Sequence, residues 1–248
     1  MKLARAAWKL LRGLVHVLVG LLAILFVFPR LPQARRDARV QAWALEMLGL
    51  LAIKLTVHGR PPDAGPVLLV ANHISWLDIV VMHAARHCRF VAKADLKRWP
   101  LISTLATGAG TLYIEREKRR DAMRVVHHMA QSLRAGDVVA VFPEGTTSDG
   151  QSLLPFHANL IQAAISAQAP AQPVALQFLD RASRQPSFAP CYVGDDTLVG
   201  SIWRTLTAPR LAAVVSFGAA QMADGRDRRT WSADLRAEIE SLRQPGPR

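Results

Sequence analysis

From His58 onward, short apolar runs alternate with stretches of helical periodicity, and this alternation constrains the fold more than any other feature of the chain. The runs at 67–71, 89–92, 111–115, 138–142, 174–178 and 212–217 have the length and composition of strands. Residues 76–86, 118–135, 157–168, 197–207 and 232–243 have the spacing of helices, while 180–196 and 220–230 look like loops. Strands separated by helices predict an α/β fold, with a mostly parallel central sheet flanked by helices. A chain of 248 residues, half of them hydrophobic, is long enough for one such domain with an appendage and excludes wholesale disorder.

The appendage is N-terminal. Residues 13–28 carry no formal charge, include His16 and are stopped by Pro29. At sixteen residues the run falls short of the roughly 20 that a spanning helix needs. Trp8, Lys9 and Arg12 can lengthen it by lying at headgroup level. A signal peptide is the competing reading, but Phe-Pro-Arg-Leu-Pro follows where small residues of a cleavage site would stand, so a retained anchor is expected. A second helix over 37–55, with Val40, Trp43, Ala44, Met47, Leu48 and Leu51 on one face, completes an expected helical hairpin. The reading therefore divides the chain into membrane-anchoring helices, 1–55, and an α/β domain, 56–243. Charge supports this division. Of the net charge of +12, the first 60 residues carry +8, from ten basic and two acidic side chains. Basic charge in the most apolar segment points to an anionic membrane surface, and not to nucleic acid. Two distant cysteines, Cys88 and Cys191, make neither a disulfide framework nor a metal site. His83 and His87 have i, i+4 spacing but no third ligand accompanies them, so no metal is expected.

Three segments carry chemistry. The strand at 67–71 runs into Asn72-His73-Ile74-Ser75-Trp76-Leu77-Asp78, which puts His73 at a strand's carboxyl end, where open α/β sheets bind ligands. Five residues along a helix turn through about 140° net, so His73 and Asp78 meet only if His73 sits in the turn before the helix. Asp78 then fixes one imidazole nitrogen and leaves the other as a base. Alternatively, Ser75 and Asp78 form a capping box. The second segment, 110–116, is a strand with Arg116 just past its end. Arg116 is either a bidentate phosphate ligand or a solvated charge in a loop rich in them. The third is Val-Val-Ala-Val-Phe-Pro-Glu-Gly-Thr-Thr-Ser at 138–148. There Pro143 stops the strand, Gly145 permits close backbone approach and Glu144 can orient hydroxyls; equally, Thr146 or Ser148 can cap a helix. Lys93, Lys97 and Arg98 either attract an anionic carrier or form a solvated basic loop.

Taken together these segments resemble the glycerolipid acyltransferase family. Residues 72–78 match its NHxxxxD motif, 110–116 its glycine–strand–arginine motif, and 142–146 its FPEGT motif; Pro173-Val174 is similar to the start of a fourth. All occur in family order, and the similarity covers roughly 55–220. The resemblance implies His73 as catalytic base supported by Asp78, with Arg116, Glu144, Gly145 and Thr146 binding the acceptor. It implies transfer of an acyl group from an acyl-CoA or acyl carrier protein thioester to a lysolipid hydroxyl, with no cofactor. The expected acceptor is 1-acylglycerol-3-phosphate, giving phosphatidic acid, and lyso-ornithine lipid is the alternative. A non-catalytic, membrane-tethered binder of anionic ligands is the alternative of another class. Membrane lipid is the expected partner, and the cytoplasmic side of the inner membrane the expected location. No Gly-x-Ser-x-Gly elbow suggests an acyl-enzyme, and the oxyanion donors are expected among backbone N–H groups near His73. One departure stands out: many members have Phe-Lys-x-Gly after the third motif, whereas this chain has Phe156-His157-Ala158-Asn159.

Overall fold

Val67–Ala71 is buried along its whole length, as expected of a strand covered on both faces. It is strand β2 in a computed structural model of the protein that describes residues 2–114 and 119–244. The other strands are β1 (Lys54–His58), β3 (Arg89–Lys93), β4 (Leu112–Ile114), β5 (Val138–Val141), β6 (Ala171–Asp180) and β7 (Leu211–Phe217). Among the described residues they form one sheet in the order β1-β7-β6-β2-β5-β3-β4. Every neighbouring pair is parallel except β6 and β7, so the expected mostly parallel α/β sheet is present.

Helices cover both faces. They are α1 (Lys2–Leu22), α2 (Gln33–Leu50), α3 (Leu77–Ala85), α4 (Pro100–Gly108), α5 (Arg119–Arg134), α6 (Gln162–Ala167), α7 (Leu198–Thr207) and α8 (Arg228–Arg243). Alternate residues of β2 serve the two cores. Leu69 and Ala71 pack with Leu48, Leu77 and Met82 on one side. Leu68 and Val70 pack with Met129, Ile161 and Trp231 on the other.

The N-terminal helices form the expected hairpin. α1 continues through a π-helical turn (Ala23–Val27) and a 3-10 turn (Phe28–Arg30). It buries Ala6, Gly13, Gly20 and Leu21, a strip of mostly small residues that lets α2 approach closely. A Cβ at Gly20 would lie 2.7 Å from Trp43 Nε1. His16 and Trp43 stack at 5.0 Å, and each ring meets the other residue's carbonyl, at 2.9 and 3.1 Å.

Several boundaries differ from the sequence reading; the helix read at 157–168 begins only at Gln162, after a 3-10 turn at Ala158–Leu160. The second helix ends at Leu50 and not at 55, because Ala52 takes a left-handed conformation (φ 59°) and Lys54–His58 pairs with β7 as an edge strand. α4 occupies a stretch read as connecting chain; Pro100 starts it and none of its residues is fully buried. α8 starts at Arg228, four residues early, because the Asp227 carboxylate accepts from the N–H groups of Arg229 and Thr230.

Candidate active site

β2, β3 and β5 are parallel and adjacent, so the chain leaves all three at one edge of the sheet. Asn72 extends the β2–β6 pairing by one side chain. Its carboxamide accepts from Leu176 N at 2.7 Å and donates to Leu176 O at 3.0 Å. The sequence reading gave Asn72 no role. Its signal was only its place directly after a buried strand.

His73 follows in the turn before α3, as an interaction with Asp78 requires. Its Nδ1–H donates to Asp78 Oδ2 at 2.8 Å. The same oxygen accepts the main-chain N–H groups of Ile74 (2.6 Å) and Ser75 (2.9 Å). The base-supporting and helix-capping readings of Asp78 are thus one arrangement. Asp78 is 0% exposed, and three donors on one oxygen offset the cost of burying its charge. The imidazole stacks on Phe142 with centroids 4.0 Å apart and planes 6° apart, and Phe142 stacks in turn on Phe90. His73 keeps 20% of its side chain exposed. Among the described residues its Nε2 makes no hydrogen bond. With Nδ1 carrying the hydrogen, that nitrogen presents a lone pair.

The Phe142–Thr146 segment leaves β5 beside it. Glu144 is buried, and both of its oxygens meet main-chain donors: Oε1 accepts from His73 N at 2.9 Å and Oε2 from Leu154 N at 3.1 Å. Burial pushes its carboxyl above the usual range, against the pull of those two N–H groups. The resemblance implies a role for Glu144 at the acceptor; in the structure its carboxylate ties the β5 loop to the backbone of the turn that holds His73. Gly145 has φ +72°, and a Cβ there would meet the His157 ring at 2.9 Å. Glycine is therefore required both by the backbone and by the imidazole that lies over it. Thr146 is exposed. Arg116 lies outside the described residues.

The stretch 180–196, read as a plain loop, braces the site from outside. Ser75 Oγ donates to Pro190 O, Tyr192 N donates to Ile74 O at 3.1 Å, and the Thr147 hydroxyl donates to Tyr192 O. Trp76 Nε1 donates to Ser201 Oγ at 3.2 Å. These ties run largely to main-chain carbonyls, which leave no trace in residue types.

Of the N–H groups near His73, where oxyanion donors are expected, those adjoining it in sequence are already engaged. The amides of His73, Ile74 and Ser75 already donate to Glu144 and Asp78. Gly145 N donates to Phe142 O at 3.1 Å and Ser148 N to His73 O at 2.8 Å. The amides of Thr146 and Thr147 make no hydrogen bond among the described residues.

Cys88 and Cys191 are free and buried. Burial pushes the Cys191 thiol up to about 11 and Cys88 further still, so neither supplies a thiolate at neutral pH. His83 and His87 stack on each other, and His83 meets the edge of Phe90. Among the described residues no three of His, Cys, Asp and Glu converge as a metal site.

An imidazole fixed by a buried carboxylate at a sheet edge is an arrangement that can take a proton from a bound hydroxyl. The chain belongs to the acyltransferase family: the family model described as Acyltransferase matches residues 54–177. It is 36% identical over 204 residues to the lyso-ornithine lipid O-acyltransferase of Pseudomonas aeruginosa, covering 81% of this chain and 78% of that protein. It is 38% identical over 217 residues to the 1-acyl-sn-glycerol-3-phosphate acyltransferase of Neisseria gonorrhoeae, covering 85% and 82%. The fold matches the crystal structure of the 1-acyl-sn-glycerophosphate acyltransferase of Thermotoga maritima over the whole of both chains, with a TM-score of 0.67 at 19% identity.

Proposed function

We propose that this acyltransferase moves a fatty acyl group from a thioester of coenzyme A or acyl carrier protein to the free hydroxyl of 1-acylglycerol-3-phosphate, giving phosphatidic acid. The observation that carries the reading is the His73–Asp78 pair at 2.8 Å with Nε2 left unbonded. Nε2 takes the proton as the acceptor oxygen attacks the thioester carbonyl. The carbon–oxygen bond forms, the carbon–sulfur bond breaks, and the thiolate leaves. Asp78 steadies the imidazolium that forms. The unbonded Thr146 and Thr147 amides are the candidate oxyanion donors. Glu144 acts through the His73 backbone as a positioning residue. Arg116, Gly145 and Thr146 bind the acceptor's phosphate head, as the family resemblance implies.

Acylation takes place at the cytoplasmic side of the inner membrane, with residues 1–55 as the anchor. The helix Lys2–Arg30 is apolar enough to cross a bilayer, yet it buries Ala6, Gly13, Gly20 and Phe28 along its length against the rest of the chain. Leu11, Leu14, Leu18, Leu25 and Phe26 face outward. Contacts with the rest of the chain spaced along one narrow strip of the helix favour a helix lying in one leaflet over one crossing it.

Lyso-ornithine lipid is the second reading, favoured by His157 where many family members carry lysine and by the Pseudomonas aeruginosa relative. An acceptor screen with purified enzyme in detergent and a labelled acyl thioester decides between them. Label appearing in phosphatidic acid upholds the first reading, label only in ornithine lipid replaces it with the second, and thioester consumption independent of any lysolipid removes both.

A further inference from the structure

The segment after β3 leaves the sheet at the same edge as His73, and it exposes basic and apolar side chains in immediate succession. Lys97 and Arg98 are exposed, Trp99 is 54% exposed and Leu101 is 64% exposed. The segment is held firmly. The Tyr113 hydroxyl donates to Ser103 O at 3.0 Å and contacts the Thr107 hydroxyl at 3.0 Å, fastening α4 to β4. The Lys97 ammonium lies 5.0 Å from the same ring's centroid. The far end of α4 rests on the N-terminal helix: a Cβ at Gly108 would lie 2.5 Å from Ile24 Cδ1. Next to Ile24, Leu25 and Phe26 point outward. α4 therefore bridges the apolar face of the N-terminal helix and the catalytic edge.

We propose that residues 97–101 form a second membrane contact, a lip that enters an anionic lipid surface beside His73 and guides the membrane-borne acceptor to the catalytic edge. The proposal rests on the lysolipid acceptor assigned above. The side-chain order fits a bilayer. Lysine and arginine meet anionic headgroups, tryptophan lies at the interface and leucine reaches the hydrocarbon. A soluble phosphate-bearing carrier would satisfy Lys97 and Arg98 but leave Trp99 and Leu101 in water.

The test uses the full chain. A solvatochromic fluorophore is attached at Leu101→Cys, with Cys88 and Cys191 protected by burial, and a second labelled protein carries Ala64→Cys at the opposite edge of the sheet. On adding vesicles of phosphatidylcholine and phosphatidylglycerol, the label at 101 shifts to the blue and the label at 64 does not. An unshifted label at 101 overturns the proposal. In parallel, Trp99→Gln/Leu101→Gln loses about tenfold or more in turnover on acceptor presented in vesicles, the factor expected when one leucine-sized contact is no longer buried. It keeps its turnover on a short-chain, water-soluble lysolipid. Equal loss on both acceptors, or a change confined to the thioester KM, overturns the lip and assigns the segment to the scaffold or to the carrier. A blue shift in a wild-type background that acylates no lysolipid upholds the membrane contact and overturns the acceptor reading beneath it.

Discussion

Asp78 performs two tasks through one oxygen, and substitutions at the site should report both. Asp78→Asn with its carboxamide oxygen in place of Oδ2 retains the acceptor for Ile74, Ser75 and His73. The new amide nitrogen then stands where Oδ1 lies buried without a partner among the described residues. Stability should fall by about 1–3 kcal/mol for that unsatisfied group. Turnover per folded molecule should fall further, by about 10² or more, because the imidazolium loses its counter-charge. Melting and steady-state rates on one preparation check this; undiminished turnover per folded molecule would leave Asp78 a cap alone. His73→Ala should cost about 10²–10⁴ in rate while the sheet still folds, since its ring is partly exposed and packs mainly on Phe142. Near wild-type turnover by a folded His73→Ala enzyme would sink the base assignment.

Among the elements, those with strong periodicity or wholly buried runs were legible in the sequence, and short or weakly buried ones were not. β2 and β5 are continuous apolar runs because both faces are covered. β1 alternates a lysine, a threonine and a histidine on an edge, and the left-handed position that ends the helix before it is held by Ala52 and not by a glycine. α4 has a proline start but no buried face to set a period. At the site, His73 and Asp78 were legible from spacing, while the amide-binding role of Glu144 and the brace at 189–192 depend on main-chain groups. α3 also carries a consequence for pH. His83 is buried, and desolvation with His87 beside it pulls its pKa from 6.5 to about 3. A lowered folded pKa means that the unfolded chain takes the proton first, so this contribution is intact above pH 6.5 and is lost as pH falls toward 3. His83→Phe keeps a ring against Phe90 and removes the titration. Its stability advantage over the parent should grow by about 1.4 kcal/mol per pH unit across that window, read from denaturant titrations at several pH values. A constant difference between variant and parent would refute the assignment.

At the scale of the whole molecule, the outstanding question is how a 29-residue apolar helix coexists with a domain packed along it. At ~1.5 Å per residue the helix is ~43 Å long, enough to cross the ~30 Å hydrocarbon core. Crossing would strip α1 from its neighbours. Gly13 would leave Met47 and Leu51, Gly20 would leave Trp43, and Ile24 would leave Gly108, exposing the apolar surface of the domain that these residues cover. The reciprocal His16–Trp43 hydrogen bonds would be lost as well. Lying in the plane keeps all of these contacts and still places Leu14, Leu18, Leu25 and Phe26 in lipid. Both ends of the helix should then stay on the side that holds His73. Cysteines introduced singly at Leu3 and Arg30 should react with an impermeant maleimide in inverted membrane vesicles, and not in intact spheroplasts. Labelling of Leu3→Cys from the opposite side to Arg30→Cys would mean that the helix spans, and that the packing along its inner face opens on insertion.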